Sequence, residues 1–143
     1  MRKFSLIMLL VVALVMVLAA CGGGGDSADS GSGDAAAPAG GDAARGEALY
    51  KQTIIGEASA PGCITCHSLD EGVVLVGPSH AGMGARANGA VAGLSADQYL
   101  EQSITEPNAH ITDGYTEGVM YQFYGNDLSA QEIADLVAFL KTQ

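Results

Sequence analysis

Cys63-Ile64-Thr65-Cys66-His67 sets two thiols three positions apart with an imidazole directly after them. Thiols at this spacing can add across the two vinyl groups of a haem while the histidine ligates its iron, so C-x-x-C-H reads as c-type haem attachment. C-x-x-C alone also serves redox dithiols, but those follow a strand in a βαβ pattern, and no alternating β-branched run precedes Cys63. A zinc site needs four nitrogen or sulfur ligands. If Cys21 carries lipid, only His67, His80 and His110 are left to join the two thiols, at spacings that fit no common zinc pattern.

At the N-terminus, Arg2 and Lys3 precede an unbroken apolar run from Leu6 to Ala20, and Leu18-Ala19-Ala20-Cys21 closes it. A positive start, an apolar run and small residues at its end form the pattern of a secretion signal. With a cysteine at the cut it resembles the signals of bacterial lipoproteins, in which that cysteine is acylated and begins the mature protein. Residues 1–20 are therefore expected to be removed and Cys21 to be lipidated. The run is fifteen residues long, just short of the roughly 17–25 that a spanning helix needs, and a membrane-spanning anchor is the other reading. Both tether the rest of the chain outside the cytoplasmic membrane, on its outer face, where bacteria attach haem to thiols. With Cys21 on lipid and Cys63 and Cys66 on haem, no thiol is left for a disulfide, although the compartment would permit one.

From Gly22 to Asp42 the chain is almost entirely Gly, Ala, Ser and Asp with a single Pro38, too little apolar surface to offset the entropy of ordering. Residues 21–42 thus read as the lipidated cysteine and a flexible tether, which spans about 25 Å on average and about 70 Å when stretched. Residues 43–143 suit one small domain. Its own core would be modest, so a covalently held macrocycle is expected to be part of the fold. The mature chain carries four basic residues (Arg45, Lys51, Arg86, Lys141) against sixteen acidic ones, a formal charge of −12. That balance excludes nucleic acid as a partner. It serves either as a solvated surface or for docking to a basic face.

Asp42 can cap a helix beginning at Ala43 whose Gly46, Leu49, Tyr50 and Thr53 share a face. Glycine inside a helix costs about 1 kcal/mol relative to alanine, and is useful where another helix must approach the backbone. The partner is the C-terminal segment: Ser129-Ala130-Gln131-Glu132 is a capping box, and Ile133, Leu136, Val137 and Leu140 make the helical stripe, flanked by Phe139. A second capping box, Ser95-Ala96-Asp97-Gln98, opens a helix through about Ile104 that the Glu106-Pro107 step ends. Its Tyr99, Leu100 and Ile104 are expected to face the macrocycle.

Over residues 43–143 the chain resembles the class I cytochromes c. In that family the first and last helices cross, with a glycine and an aromatic of the first meeting an aliphatic and an aromatic of the last; Gly46, Tyr50, Leu136 and Phe139 stand at the matching positions. The resemblance implies an all-α fold, a small helical domain wrapped around one covalently bound haem c. Pro78, in Val76-Gly77-Pro78, stands eleven residues after His67. Proline has a carbonyl and no N–H, and a metal-bound imidazole usually donates its other ring N–H to such an acceptor. The resemblance carries that role to the Pro78 carbonyl, where a plain turn is the alternative. It also places the Arg86 guanidinium near a haem propionate, where arginine suits a partly buried carboxylate; a solvated Arg86 is the alternative.

The sixth iron ligand is expected to be a thioether, which raises the reduction potential. Met120 follows Asp113-Gly114-Tyr115, where the family places its ligand, although Tyr121 stands where the family usually has proline. His110, His80, Met83 and an open position are the alternatives. The implied function is one-electron transfer by a membrane-tethered monohaem cytochrome, not an enzyme. It would serve membrane redox complexes such as a quinol-oxidising complex, a terminal oxidase or a photosynthetic reaction centre, as a shuttle or as a fixed subunit. The alternative is a haem sensor or peroxidase-like enzyme, which needs an open sixth position and a distal acid or base, for which His110 is the candidate.

Overall fold

The computed structural model describes residues 40–143; the signal read at 1–20, Cys21 and the tether up to residue 39 lie outside the described residues. No described helix is long and apolar enough to cross a membrane.

Helix α1 (Ala43–Tyr50) starts as its sequence dictates: the Asp42 side chain accepts from the backbone N–H groups of Ala44 and Arg45. Its buried face is Gly46 and Tyr50. Thr53, expected on the same face, lies beyond the helix end and is exposed, because the chain leaves α1 at Lys51 to enter a turn. There the β-branched pair Ile54–Ile55 (β1) meets Ala60–Pro61 (β2) in a two-residue antiparallel ladder, with Ile54 opposite Pro61 and Ile55 opposite Ala60. Positive φ at Gly56 (71°) and Ser59 (58°) reverses the chain between them. This small ladder is the one departure from an all-helical reading among the described residues, and Cys63–Thr65 follows it directly as a single 3₁₀ turn.

The short helix α2 (Met83–Ala87) follows Gly82, whose φ is positive (68°). It closes onto the chain's end: Gly84 N–H donates to the Gln143 carbonyl at 3.0 Å, and a Cβ on Gly84 would stand 2.2 Å from the Lys141 carbonyl oxygen. Helices α3 (Ala96–Thr105) and α5 (Ala130–Leu140) each begin with a complete capping box, Ser95 with Gln98 and Ser129 with Glu132. Between them Tyr124–Asp127 forms the one-turn helix α4.

The core forms where α1 packs on α5. A Cβ on Gly46 would sit 2.0 Å from the Asp135 carbonyl oxygen and 2.8 Å from the Phe139 Cβ, so only glycine allows this approach. Tyr50 then packs on Phe139 with ring centroids 5.2 Å apart, and Leu136 is 1% exposed. An ion pair that the stripe pattern did not foretell locks the crossing. Asp135 is 4% exposed and accepts from Arg45 Nε at 2.7 Å, Arg45 Nη2 at 2.9 Å, the Asp42 backbone N–H at 2.7 Å and Gln131 Nε2 at 2.9 Å. Those donors hold its carboxyl down to about 2, the expected sign for a carboxylate whose charged form is hydrogen-bonded.

Candidate haem site

The motif is presented by a turn that is pinned from both sides. Gly62 N–H donates to the Thr53 carbonyl at 2.8 Å, His67 N–H donates to the Cys63 carbonyl at 2.9 Å, and Gly77 N–H reaches the Cys66 carbonyl at 2.9 Å. Gly62 is held so closely to the Gln52 carbonyl that a Cβ would come within 1.8 Å of its oxygen. Cys63 and Cys66 are free thiols, and burial pushes the Cys63 thiol up to about 11. A thioether, which carries no charge, suits that apolar position better than a thiolate does.

His67 is buried, and burial lowers the pKa of its imidazole, keeping the ring neutral. Its Nδ1 lies 2.8 Å from the Pro78 carbonyl oxygen. That oxygen can only accept, so Nδ1 carries the proton and Nε2 keeps its lone pair for a metal. A Cβ on Gly77 would fall 2.4 Å from His67 Cε1, which is why the residue before Pro78 must be glycine.

These groups open onto a cavity of about 740 Å³, within the roughly 300–1,000 Å³ of cofactor-sized pockets. Cys63, Cys66, His67, Pro78 and Met120 all line it, with Tyr99, Leu100 and Ile104 of α3 and Leu136 and Leu140 of α5 forming apolar wall. Paired thiols, an imidazole with a free Nε2, a thioether and an apolar wall are the donor set and surface that a haem requires. Among the described residues no three His, Cys, Asp or Glu side chains gather as a site for a bare metal ion.

Arg86 is not on the lining. Its guanidinium is exposed and spans two carbonyls, Nη2 donating to Ser79 at 2.7 Å and Nη1 to Ala81. In this arrangement it braces the segment after Pro78, whereas the resemblance placed it beside the cofactor's carboxylates.

The remaining ligand candidates are also on the lining. His80 stacks on His67, centroids 4.1 Å apart and planes 15° from parallel. Rings stacked this closely leave no room for a macrocycle between them, so His67 and His80 would not hold a haem from its two faces. Met83 follows His80 in the same turn, its N–H donating to the His80 carbonyl at 3.0 Å. His110 is exposed and rests edge-on against Tyr99, centroids 5.9 Å apart. Met120 comes from the separate segment between α3 and α4.

One feature of the site was not legible beforehand: the half-buried His80 pairs with the buried Tyr50, whose hydroxyl lies 3.2 Å from His80 Nδ1 and 3.3 Å from the His67 carbonyl oxygen. Burial, and then the neighbouring His67 and Arg86, push the His80 imidazole down to about 3, so it is neutral. The only forewarning was a histidine two residues after Pro78 in an otherwise small and apolar stretch.

A small helical domain with this donor set around an apolar cavity defines a haem protein of the c type. The cytochrome c family model matches residues 43–143, and the chain belongs to the cytochrome c family. The family binds covalently attached haem c with its iron, and its members are usually electron carriers rather than enzymes. No curated protein matches the chain.

Proposed function

We propose that this haem-based electron carrier works from the outer face of the bacterial cytoplasmic membrane, held by lipid on Cys21, and passes single electrons between membrane redox complexes. Cys63 and Cys66 are the attachment points, and His67 and Met120 the iron ligands. When bound, the haem supplies the one-electron Fe(II)/Fe(III) couple. The chain's part is to hold that couple still: the Pro78 carbonyl fixes the His67 tautomer and ring, Arg86 braces the loop carrying Pro78, and the walls of α3 and α5 exclude water. Met120 and His110 both lie on the segment between α3 and α4, separate from the one that joins His67, His80 and Met83, and of the two Met120 offers the thioether that an electron carrier favours. The acidic surface fits docking to basic faces of a quinol-oxidising complex, a terminal oxidase or a photosynthetic reaction centre.

The observation that carries the reading is the hydrogen bond from His67 to the Pro78 carbonyl, made on the same cavity wall that presents both free thiols. Acid-acetone extraction of the denatured protein tests it. The pigment stays with the polypeptide, and a Cys63→Ser/Cys66→Ser double variant releases or never acquires it. Pigment extracted from the native chain overturns the attachment.

A further inference from the structure

Attachment of haem does not by itself call for the polar cluster of Tyr50, His67 and His80. Tyr50 is fully buried, and a hydroxyl or imidazole is costly in such a place unless its polar atoms are bonded. Among the described residues no buried side-chain nitrogen or oxygen lacks a partner. The hydroxyl has one proton, and the His67 carbonyl oxygen can only accept. The order that satisfies all three groups is therefore His80 Nδ1–H donating to the Tyr50 oxygen at 3.2 Å, and Tyr50 O–H donating to the His67 carbonyl at 3.3 Å. His80 is also fixed through its backbone, whose N–H donates to the Ser68 carbonyl at 2.8 Å. Held from ring and backbone alike, it lies nearly parallel to the His67 ring at 4.1 Å.

We propose that His80, oriented by Tyr50, is a positioning residue for the His67 imidazole that fixes its plane and favours the ferric state, lowering the reduction potential. An aromatic face is electron-rich and attracts positive charge. The ligating imidazole shares in the extra positive charge when the iron is ferric, so a ring stacked on it stabilises that state over the ferrous one. An aliphatic side chain of similar size would fill the space without this bias.

The inference rests on His67 as the iron ligand, so the ferric spectrum of the haem-loaded native protein is recorded first. A low-spin spectrum with histidine ligation upholds that premise; a spectrum without it overturns both the ligand assignment and this inference. Redox titration and ferric electron paramagnetic resonance are then compared among native, His80→Leu, His80→Phe and Tyr50→Phe proteins. The potential rises in His80→Leu and its resonance positions shift. His80→Phe, which keeps a ring face in place, stays nearer to native. Tyr50→Phe moves in the direction of His80→Leu by a smaller amount, because the imidazole is released but still present. A haem-loaded His80→Leu protein with the native potential and native resonances overturns the inference while leaving the ligand assignment standing. Should His80→Leu fail to fold, Tyr50→Phe decides the matter, and an unchanged potential and spectrum there overturn it.

Discussion

Replacing Gly46 with alanine tests whether the α1–α5 crossing organises the domain. The added Cβ would stand 2.0 Å from the Asp135 carbonyl oxygen and 2.8 Å from the Phe139 Cβ, whereas heavy atoms in contact are about 3.5–4.0 Å apart. The obstacle is backbone within α5 and cannot rotate aside, so the helices must part by about 1.5 Å. That loosens the Tyr50–Phe139 pair, uncovers Leu136 and stretches the Arg45–Asp135 ion pair. Overpacking of this kind costs about 3 kcal/mol at the upper end of its usual range, and alanine's better helix propensity returns about 1 kcal/mol. The net loss is about 2 kcal/mol, which for a domain of this size lowers Tm by about 8–16 °C. Thermal unfolding of the haem-loaded protein followed by far-ultraviolet circular dichroism reads it, with Gly40→Ala as control, since nothing lies within 4 Å of a Cβ there. A Gly46→Ala protein that melts with the native one, or a Gly40→Ala protein that falls as far, refutes the reasoning.

Two further outcomes are expected. Mass spectrometry of the mature N-terminus finds Cys21 acylated, and Cys21→Ser blocks lipid addition and leaves the precursor unprocessed; an unmodified terminus elsewhere contradicts the anchor. Asp135 is held at about 2 in the folded protein, below the roughly 3.9 of a free aspartate, so its stabilisation is complete above about pH 4 and is lost as pH falls toward 2. Acid unfolding of native and Asp135→Asn proteins shows their stability difference shrinking across that window; a difference constant from pH 5 to pH 2 contradicts the ion pair's part in the crossing.

The parts of this fold that were legible in the sequence are local or periodic. Both capping boxes are complete within four residues, the α5 stripe repeats on one helix face, and the Gly-Pro step carries its geometry in its own chemistry. Gly46 was legible because a glycine inside a helix asks for a reason. The unforeseen features join distant residues. Asp135 reads as an exposed charge until α1 brings Arg45 and the Asp42 N–H to it, and His80 reads as a spare ligand until Tyr50 and His67 close around it. The ladder of β1 and β2 has only two residues on each side, too short for any alternation to announce it. Arg86 likewise reads as a free guanidinium until the carbonyls of Ser79 and Ala81 engage it.

Ligation by Met120 is the point on which electron carriage turns, and absorption spectroscopy of the oxidised protein reads it directly. A thioether on low-spin ferric haem gives a weak charge-transfer band near the red end of the visible spectrum, which a nitrogen ligand or water does not give. The native protein and Met83→Ala show this band. Met120→Ala loses it, gains affinity for small exogenous ligands and drops in potential, because water or a harder ligand favours ferric iron. A native protein that lacks the band and readily binds cyanide or carbon monoxide has an open sixth position, which would contradict the carrier and turn the site toward sensing or peroxide chemistry.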